Sequence, residues 1–231
     1  MPPLLPEGIR ACLFDLDGVL TDTSRLHAAA WKAAFDPFLA ARGARPFDRV
    51  DEYERHVDGR RRADGVRSFL AARGIDAPPH LVDELAARKN EVFLRLLDEH
   101  GVEPFPGSLR FVDAVRAAGL AAAVVSSSAN AAEVLEAAGL ARRFAVVVDG
   151  RRIERERLAG KPAPDSFLAG AHALGLEPAA AAVLEDAPAG VRAGRAGGFG
   201  WVVGVDRNGG AAALRKSGAD VVVGDLSELV A

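Results

Sequence analysis

The stretch Ala11-Cys12-Leu13-Phe14-Asp15-Leu16-Asp17-Gly18-Val19-Leu20-Thr21-Asp22 decides the fold. Small and apolar residues run straight into two carboxylates and a glycine, the pattern of a short buried strand that ends in a turn. Side chains alternate along a strand, so Asp15 and Asp17 share one face while Leu16 packs on the other. In an open parallel sheet, ligands bind beyond the carboxyl ends of the strands, where these two acids would stand. Carboxylates side by side repel unless a cation or a shared proton joins them. A bare Asp-x-Asp-Gly is also what an acidic turn looks like, so its meaning depends on the rest of the chain.

Downstream, residues 23–100 lack strand signals. Thr23 or Ser24 can cap a helix that carries Leu26, Ala30, Trp31, Ala34, Phe35 and Phe38 at helical spacing, with Gly43 and Pro46 beyond its end. Shorter helical patterns occupy 50–57, 65–72 and 81–97, and the stretch 101–107, with Pro104 and Pro106, reads as a hinge. After it the pattern changes to helix 109–118, strand 121–125, helix 130–138, strand 144–148, a polar loop 149–160, helix 164–174 and strand 181–184. Helix 189–196, strand 199–203, helix 210–217, strand 220–223 and a short closing helix follow. Alternating strands and helices imply parallel pairing, and apolar strands without alternation imply a sheet covered on both faces. The expected fold is α/β: a doubly wound parallel sheet from residues 1–20 and 101–231, interrupted by a helical insert at 21–100.

Composition narrows the function classes. At 231 residues, 49% hydrophobic and 26% charged, the chain reads as an ordinary globular protein. A net charge of -3 gives no electrostatic basis for binding nucleic acid or an anionic membrane. The single cysteine, Cys12, has no internal disulfide partner and sits in the expected buried strand, which suits an inert thiol. Met1-Pro2-Pro3-Leu4-Leu5-Pro6 lacks the basic-then-apolar pattern of a secretory leader, and no apolar run is long enough for a bilayer, so a cytoplasmic protein is expected.

Four polar clusters fall at expected strand or loop ends: Asp15 with Asp17, Ser126, Lys161, and Glu185 with Asp186. Together they offer a nucleophile, a second acid for proton transfer, a hydroxyl donor, a cation and an acidic metal seat. Phosphoryl transfer asks for that set, because its transition state is loose and heavily anionic and is helped by positioning and positive charge. Asp15 can attack phosphorus to give an aspartyl phosphate. Carboxylate oxygens suit Mg2+, which keeps waters and bridges to phosphate. Lys161 is one of only four lysines in the chain, and it can offset charge on Asp15 and the phosphate.

In order, Asp15-Leu16-Asp17-Gly18, the serine of Val125-Ser126-Ser127, the lysine of Gly160-Lys161-Pro162-Ala163-Pro164-Asp165 and Leu184-Glu185-Asp186-Ala187-Pro188-Ala189-Gly190 resemble the four motifs of the haloacid dehalogenase (HAD) superfamily. The resemblance covers nearly the whole chain. It implies a Rossmann-like core with a helical cap, Asp15 as nucleophile, Asp17 as general acid/base, and Ser126 and Lys161 as phosphate anchors. It also implies a Mg2+ site of Asp15, the Asp17 backbone carbonyl, Glu185 and Asp186. The dehalogenase branch lacks the second aspartate and the late acidic pair, so Asp17, Glu185 and Asp186 argue against it.

Within the superfamily, Thr21-Asp22-Thr23 with His27 and Trp31 resembles the beta-phosphoglucomutase branch, where the threonine, histidine and tryptophan couple the cap to the acid/base. Val57-Asp58-Gly59-Arg60-Arg61-Arg62 is similar to a cap loop that grips the sugar's far phosphate, with Arg62 the best match. Arg88-Lys89-Asn90 is similar to the next cap motif and puts Lys89 near the sugar, while Ser127, Ser128 and Asn130 match phosphate-site positions. The chain departs from that branch at Ala129, where a lysine is expected, and at Gly65, where a serine is expected. The resemblance therefore implies a Mg2+-dependent mutase interconverting beta-glucose 1-phosphate and glucose 6-phosphate. The alternative is a phosphatase of small phosphate esters, which needs only water at the aspartyl phosphate. A receiver-type signalling module also uses an aspartate and a metal, but it leaves the insert unexplained. The expected partner is a small phosphorylated sugar, with no nucleic acid or membrane, and the chain is expected to be a monomer.

Overall fold

A computed structural model describes residues 2–207 and 209–231; Met1, from the N-terminal stretch read above, lies outside them. The chain divides into two compact units: Met1–Asp22 with Glu103–Ala231, and Thr23–Val102.

The first unit is built on six parallel strands: β1 (Ala11–Phe14), β2 (Ala121–Val125), β3 (Val146–Val148), β4 (Ala181–Glu185), β5 (Trp201–Val205) and β6 (Val221–Val223). They lie in the order β3-β2-β1-β4-β5-β6. The order reverses beside β1, where a doubly wound sheet opens a crevice at its carboxyl edge. Phe14 pairs with Val124 on one side and Leu184 on the other, so Asp15 emerges level with Val125 and Glu185. That register alone brings residues 110 and more positions apart to one sheet edge. The helices of this unit, numbered after the three of the second unit, are α4 (Pro106–Ala117), α5 (Ala131–Ala137), α6 (Gly150–Arg155), α7 (Asp165–Ala173), α8 (Pro188–Ala196) and α9 (Ala211–Ser217).

The strands are buried because both faces are covered: Leu13, Ala123, Val125, Phe167, Val183 and Val202 belong to one continuous core. Phe14 packs edge-on against Phe111 and Phe144, at 6.1 and 5.9 Å between ring centroids. Cys12 lies in the same interior, and burial pushes its thiol up to about 12, as an inert thiol requires.

The second unit holds α1 (Ser24–Ala40), α2 (Arg62–Ala72) and α3 (Pro79–His100). Its core of Trp31, Phe35, Phe47, Phe69, Leu70 and Val82 gathers the apolar stripe foreseen on α1. Phe35 stacks on Trp31 and lies tilted against Phe69, with centroids 5.1 and 4.2 Å away. No described helix is long and apolar enough to cross a membrane.

Several expected elements are corrected. The polar stretch 149–160 is no plain loop: it contains α6, whose first turn Asp149 caps by accepting the Arg152 amide at 2.7 Å. The helical pattern at 50–57 closes as a π-helical turn over Tyr53–Val57, with the Asp58 amide donating to the Tyr53 carbonyl at 3.0 Å. α4 starts at Pro106 rather than Leu109, because a proline is at home in a first helical turn. The fifth strand runs two residues later than expected, from Trp201 to Val205. Thr23 stands at the N-cap of α1, yet its side chain makes no capping bond there.

Candidate active site

At the carboxyl edge of the sheet, Lys161 is fully buried between two acids. Its Nζ donates to Asp15 Oδ1 at 2.5 Å, to Glu185 Oε1 at 2.7 Å and to the Val125 carbonyl at 3.2 Å, which uses all three ammonium protons. Asp15 follows β1, its amide held by the Leu184 carbonyl; Glu185 ends β4; Lys161 comes from the segment leading into α7. Burial works against the ammonium, but Asp15 and then Glu185 outweigh it and hold Lys161 above the ordinary lysine range. For Asp15 burial pushes the carboxyl up. Lys161 opposes the shift, and the Glu185 and Asp17 carboxylates add to it.

Glu185, expected among the metal ligands, has both oxygens engaged: Oε1 by Lys161 and Oε2 by the Ala187 amide at 2.8 Å. It orients the lysine. The glycine of the last motif is explained by the same contact. A Cβ on Gly190 would meet Glu185 Oε1 at 1.7 Å, so no larger residue fits without dislodging the glutamate. Asp186, the next residue, is half-buried.

Ser126 follows β2 and is buried, with its hydroxyl 3.5 Å from Asp17 Oδ2. The Ser128 amide donates to Ser126 Oγ at 3.1 Å, and the Asn130 amide to Ser128 Oγ at 3.2 Å, so the hydroxyls shape a tight loop. Ser127, Ser128 and Ala129 are half-buried on that loop, and Asn130 is buried at the N-cap of α5. The helix α6, missed in the sequence, abuts this loop: a Cβ on Gly150 would meet the Ala129 nitrogen and the Ser127 carbonyl, each at 2.7 Å. Its Asp149-Gly150 start was a readable signal.

The expected cap residues all lie in the second unit. Lys89 on α3 is buried, and its Nζ donates to His27 Nδ1 on α1 at 2.7 Å. An ammonium only donates, so Nδ1 is the acceptor in this contact. His27 stacks on Phe93 at 4.2 Å between centroids, and Lys89 lies 5.4 Å from the Trp31 ring. Arg62 opens α2, half-buried, and Thr23 is buried at the head of α1.

The donors at the sheet edge fit a divalent cation of the magnesium type. They are hard oxygens only, and a dication beside Asp15 would restore the ionised carboxylate that burial and its acidic neighbours disfavour. Among the described residues no three His, Cys, Asp or Glu side chains close into a full metal cage. Mg2+ commonly takes one or two carboxylates and fills its shell with water and phosphate oxygens.

The model of the haloacid dehalogenase-like hydrolase family matches residues 9–198. A beta-phosphoglucomutase of Mycobacterium bovis is 53% identical over 98% of this chain and 93% of its own length. A beta-phosphoglucomutase of Bacillus subtilis is 34% identical, over 96% and 92%. Among solved structures, the beta-phosphoglucomutase of Clostridium difficile superposes with a TM-score of 0.80 at 28% identity, covering 96% of this chain and 93% of that one.

Proposed function

The chain belongs to the haloacid dehalogenase-like hydrolase family and is an enzyme of its phosphotransferase type; from that premise we propose a phosphomutase acting through an aspartyl phosphate. The substrate is a small phosphorylated sugar, and the reaction interconverts beta-glucose 1-phosphate and glucose 6-phosphate. The observation that carries the chemistry is the buried Asp15–Lys161–Glu185 triplet, which supports a carboxylate nucleophile steadied by a fixed ammonium. The 53% identity to a beta-phosphoglucomutase supports the choice of substrate.

In this reading Asp15 attacks phosphorus through a carboxylate oxygen, and the bond to the sugar oxygen breaks. Asp17 gives its proton to the leaving sugar oxygen, then takes one back from the incoming hydroxyl. Lys161 and the Ser126 loop neutralise and orient the phosphoryl oxygens as charge spreads over them. Asp15, the Asp17 carbonyl and Asp186 would hold Mg2+, which supplies positive charge against the phosphoryl oxygens when bound. Glu185 keeps the lysine in place. Residues 23–102 act as the cap, with His27, Trp31, Arg62 and Lys89 assigned to the sugar and its non-reacting phosphate.

Ala129 favours the second reading, a phosphatase. The loop is one cation short of what the mutase branch offers a non-reacting phosphate, and a weakly held bisphosphate leaves the aspartyl phosphate open to water. Phosphorus NMR of beta-glucose 1-phosphate with Mg2+ and a trace of the sugar bisphosphate separates the two. The glucose 6-phosphate signal grows if the mutase reading holds. Growth of inorganic phosphate alone defeats that reading in favour of the phosphatase.

A further inference from the structure

Arg207 lies two residues past β5, and none of the four motifs contains it. Its guanidinium nevertheless donates to four separate acceptors. Nε donates to the Gly18 carbonyl at 3.2 Å. Nη1 donates to the Gly224 carbonyl at 3.0 Å and to Asp225 Oδ2 at 2.9 Å. Nη2 donates to Ser108 Oγ at 3.2 Å. The group lies 3.9 Å from the centre of the Phe105 ring.

Its partners converge on the turn that follows Asp17. Three consecutive carbonyls of that turn are taken: Gly18 by Arg207, Val19 by the Ser108 hydroxyl at 2.6 Å, and Leu20 by the Phe105 amide at 2.9 Å. Ser108 donates to Val19 and accepts from Arg207, which satisfies one buried hydroxyl in both capacities. The turn's own bonds, Gly18 amide to Thr21 carbonyl at 2.8 Å and Thr21 amide to Leu16 carbonyl at 3.0 Å, fix its shape but not its place. Its place is set from outside. Asp225 anchors the guanidinium in turn, since it also caps the 3-10 turn Leu226–Leu229 by accepting the Ser227 amide at 2.9 Å.

We propose that Arg207 is a positioning residue for phosphoryl transfer: its guanidinium fork clamps the Gly18–Leu20 turn against α4 and the C-terminal turn, and so sets where Asp17 stands. The proposal rests on the reading of Asp17 as acid/base. Arginine is needed because one planar fork serves four acceptors at once; a lysine ammonium is a point donor on a flexible stem and cannot.

The test compares wild type, Arg207→Ala and Arg207→Lys, each checked for folding by circular dichroism, with kcat and KM measured for a phosphorylated sugar. Displacement of a catalytic group by about 1 Å can cost about 100-fold in rate. Arg207→Ala is expected to lose about 10- to 100-fold in kcat, with KM within about two-fold of wild type, because the phosphate-facing residues are untouched. Arg207→Lys is expected to stay at least about ten-fold down, and added guanidinium ion to restore part of the Arg207→Ala loss. A folded Arg207→Ala with wild-type kcat, or a loss confined to KM, overturns the proposal. If Arg207→Ala does not fold, a folded Arg207→Lys with wild-type kcat overturns it. A wild type that turns over no phosphate ester defeats the phosphotransfer reading itself, a result distinct from a loss confined to the variants.

Discussion

Three residues, Asp15, Lys161 and Glu185, carry the proposed chemistry and constrain one another. Removing Lys161 leaves two acids buried without their cation, and breaking such a pair costs about 3–5 kcal/mol. Lys161→Met is therefore expected to lower the unfolding free energy measured by urea denaturation by that amount at neutral pH, and to remove turnover as well. Glu185 is a subtler case. Gly190→Ala would press its methyl onto Glu185 Oε1 without touching a reacting group. It is expected to lower kcat by about ten-fold while the fold persists; unchanged kcat in a folded Gly190→Ala would remove Glu185 from the site. The sequence exposed these positions because acids, a serine and a rare lysine interrupt apolar runs. It could not separate the roles of Glu185 and Asp186, which are neighbours in the chain, the first fully buried at the end of β4 and the second half-buried beyond it. Arg207 was invisible for a different reason. Its partners lie 17, 18, 99 and 189 positions away, and two of them are backbone carbonyls that no residue type announces.

At the scale of elements, β1, β2 and β4 were legible because buried parallel strands are short apolar runs ended by polar residues. α6 was not, because Gly150-Arg151-Arg152-Ile153-Glu154-Arg155 shows one apolar residue and no stripe. The π-helical turn Tyr53–Val57 reads only as helix in the sequence, since one extra residue per turn leaves little trace in a pattern of five residues. Beside that turn, Glu52 accepts from Arg73 Nε at 2.6 Å, from Arg73 Nη2 at 2.8 Å, from Arg45 at 3.1 Å and from the Asp48 amide at 2.9 Å. Burial favours its neutral form, but Arg73, the Asp48 amide and Arg45 outweigh that and hold Glu52 below the usual carboxylate range. A carboxyl lowered in the folded state stabilises above its unfolded pKa, about 4.3, and loses that contribution as pH falls through the lower folded value. The helical unit should accordingly weaken below about pH 4. Glu52→Gln is expected to flatten that dependence and to cost about 2–3 kcal/mol at pH 7. An acid denaturation curve identical for wild type and variant would contradict the assignment.

For the whole molecule, one sheet edge collects groups from four distant segments, and the register of β1 between β2 and β4 is what gathers them. The change in sequence pattern near residue 101 is legible without any motif, whereas the strand order is not, because it depends on which strands pair. Which sugar phosphate the chain takes is not legible from the residues by themselves; the resemblance alone suggests it. If Asp15 and Asp186 hold Mg2+, the ion should raise thermal stability by mass action, about 2.7 kcal/mol at 100 times its dissociation constant. Asp186→Asn should abolish that rise, and an equal rise in the variant would place the ion elsewhere. The central claim is that Asp15 takes the phosphoryl group, and mass spectrometry of protein quenched in acid during turnover tests it most directly. A phosphoryl adduct on the peptide containing Asp15, absent from Asp15→Asn along with all activity, is the result predicted. An adduct on another residue, or undiminished turnover in Asp15→Asn, would contradict it.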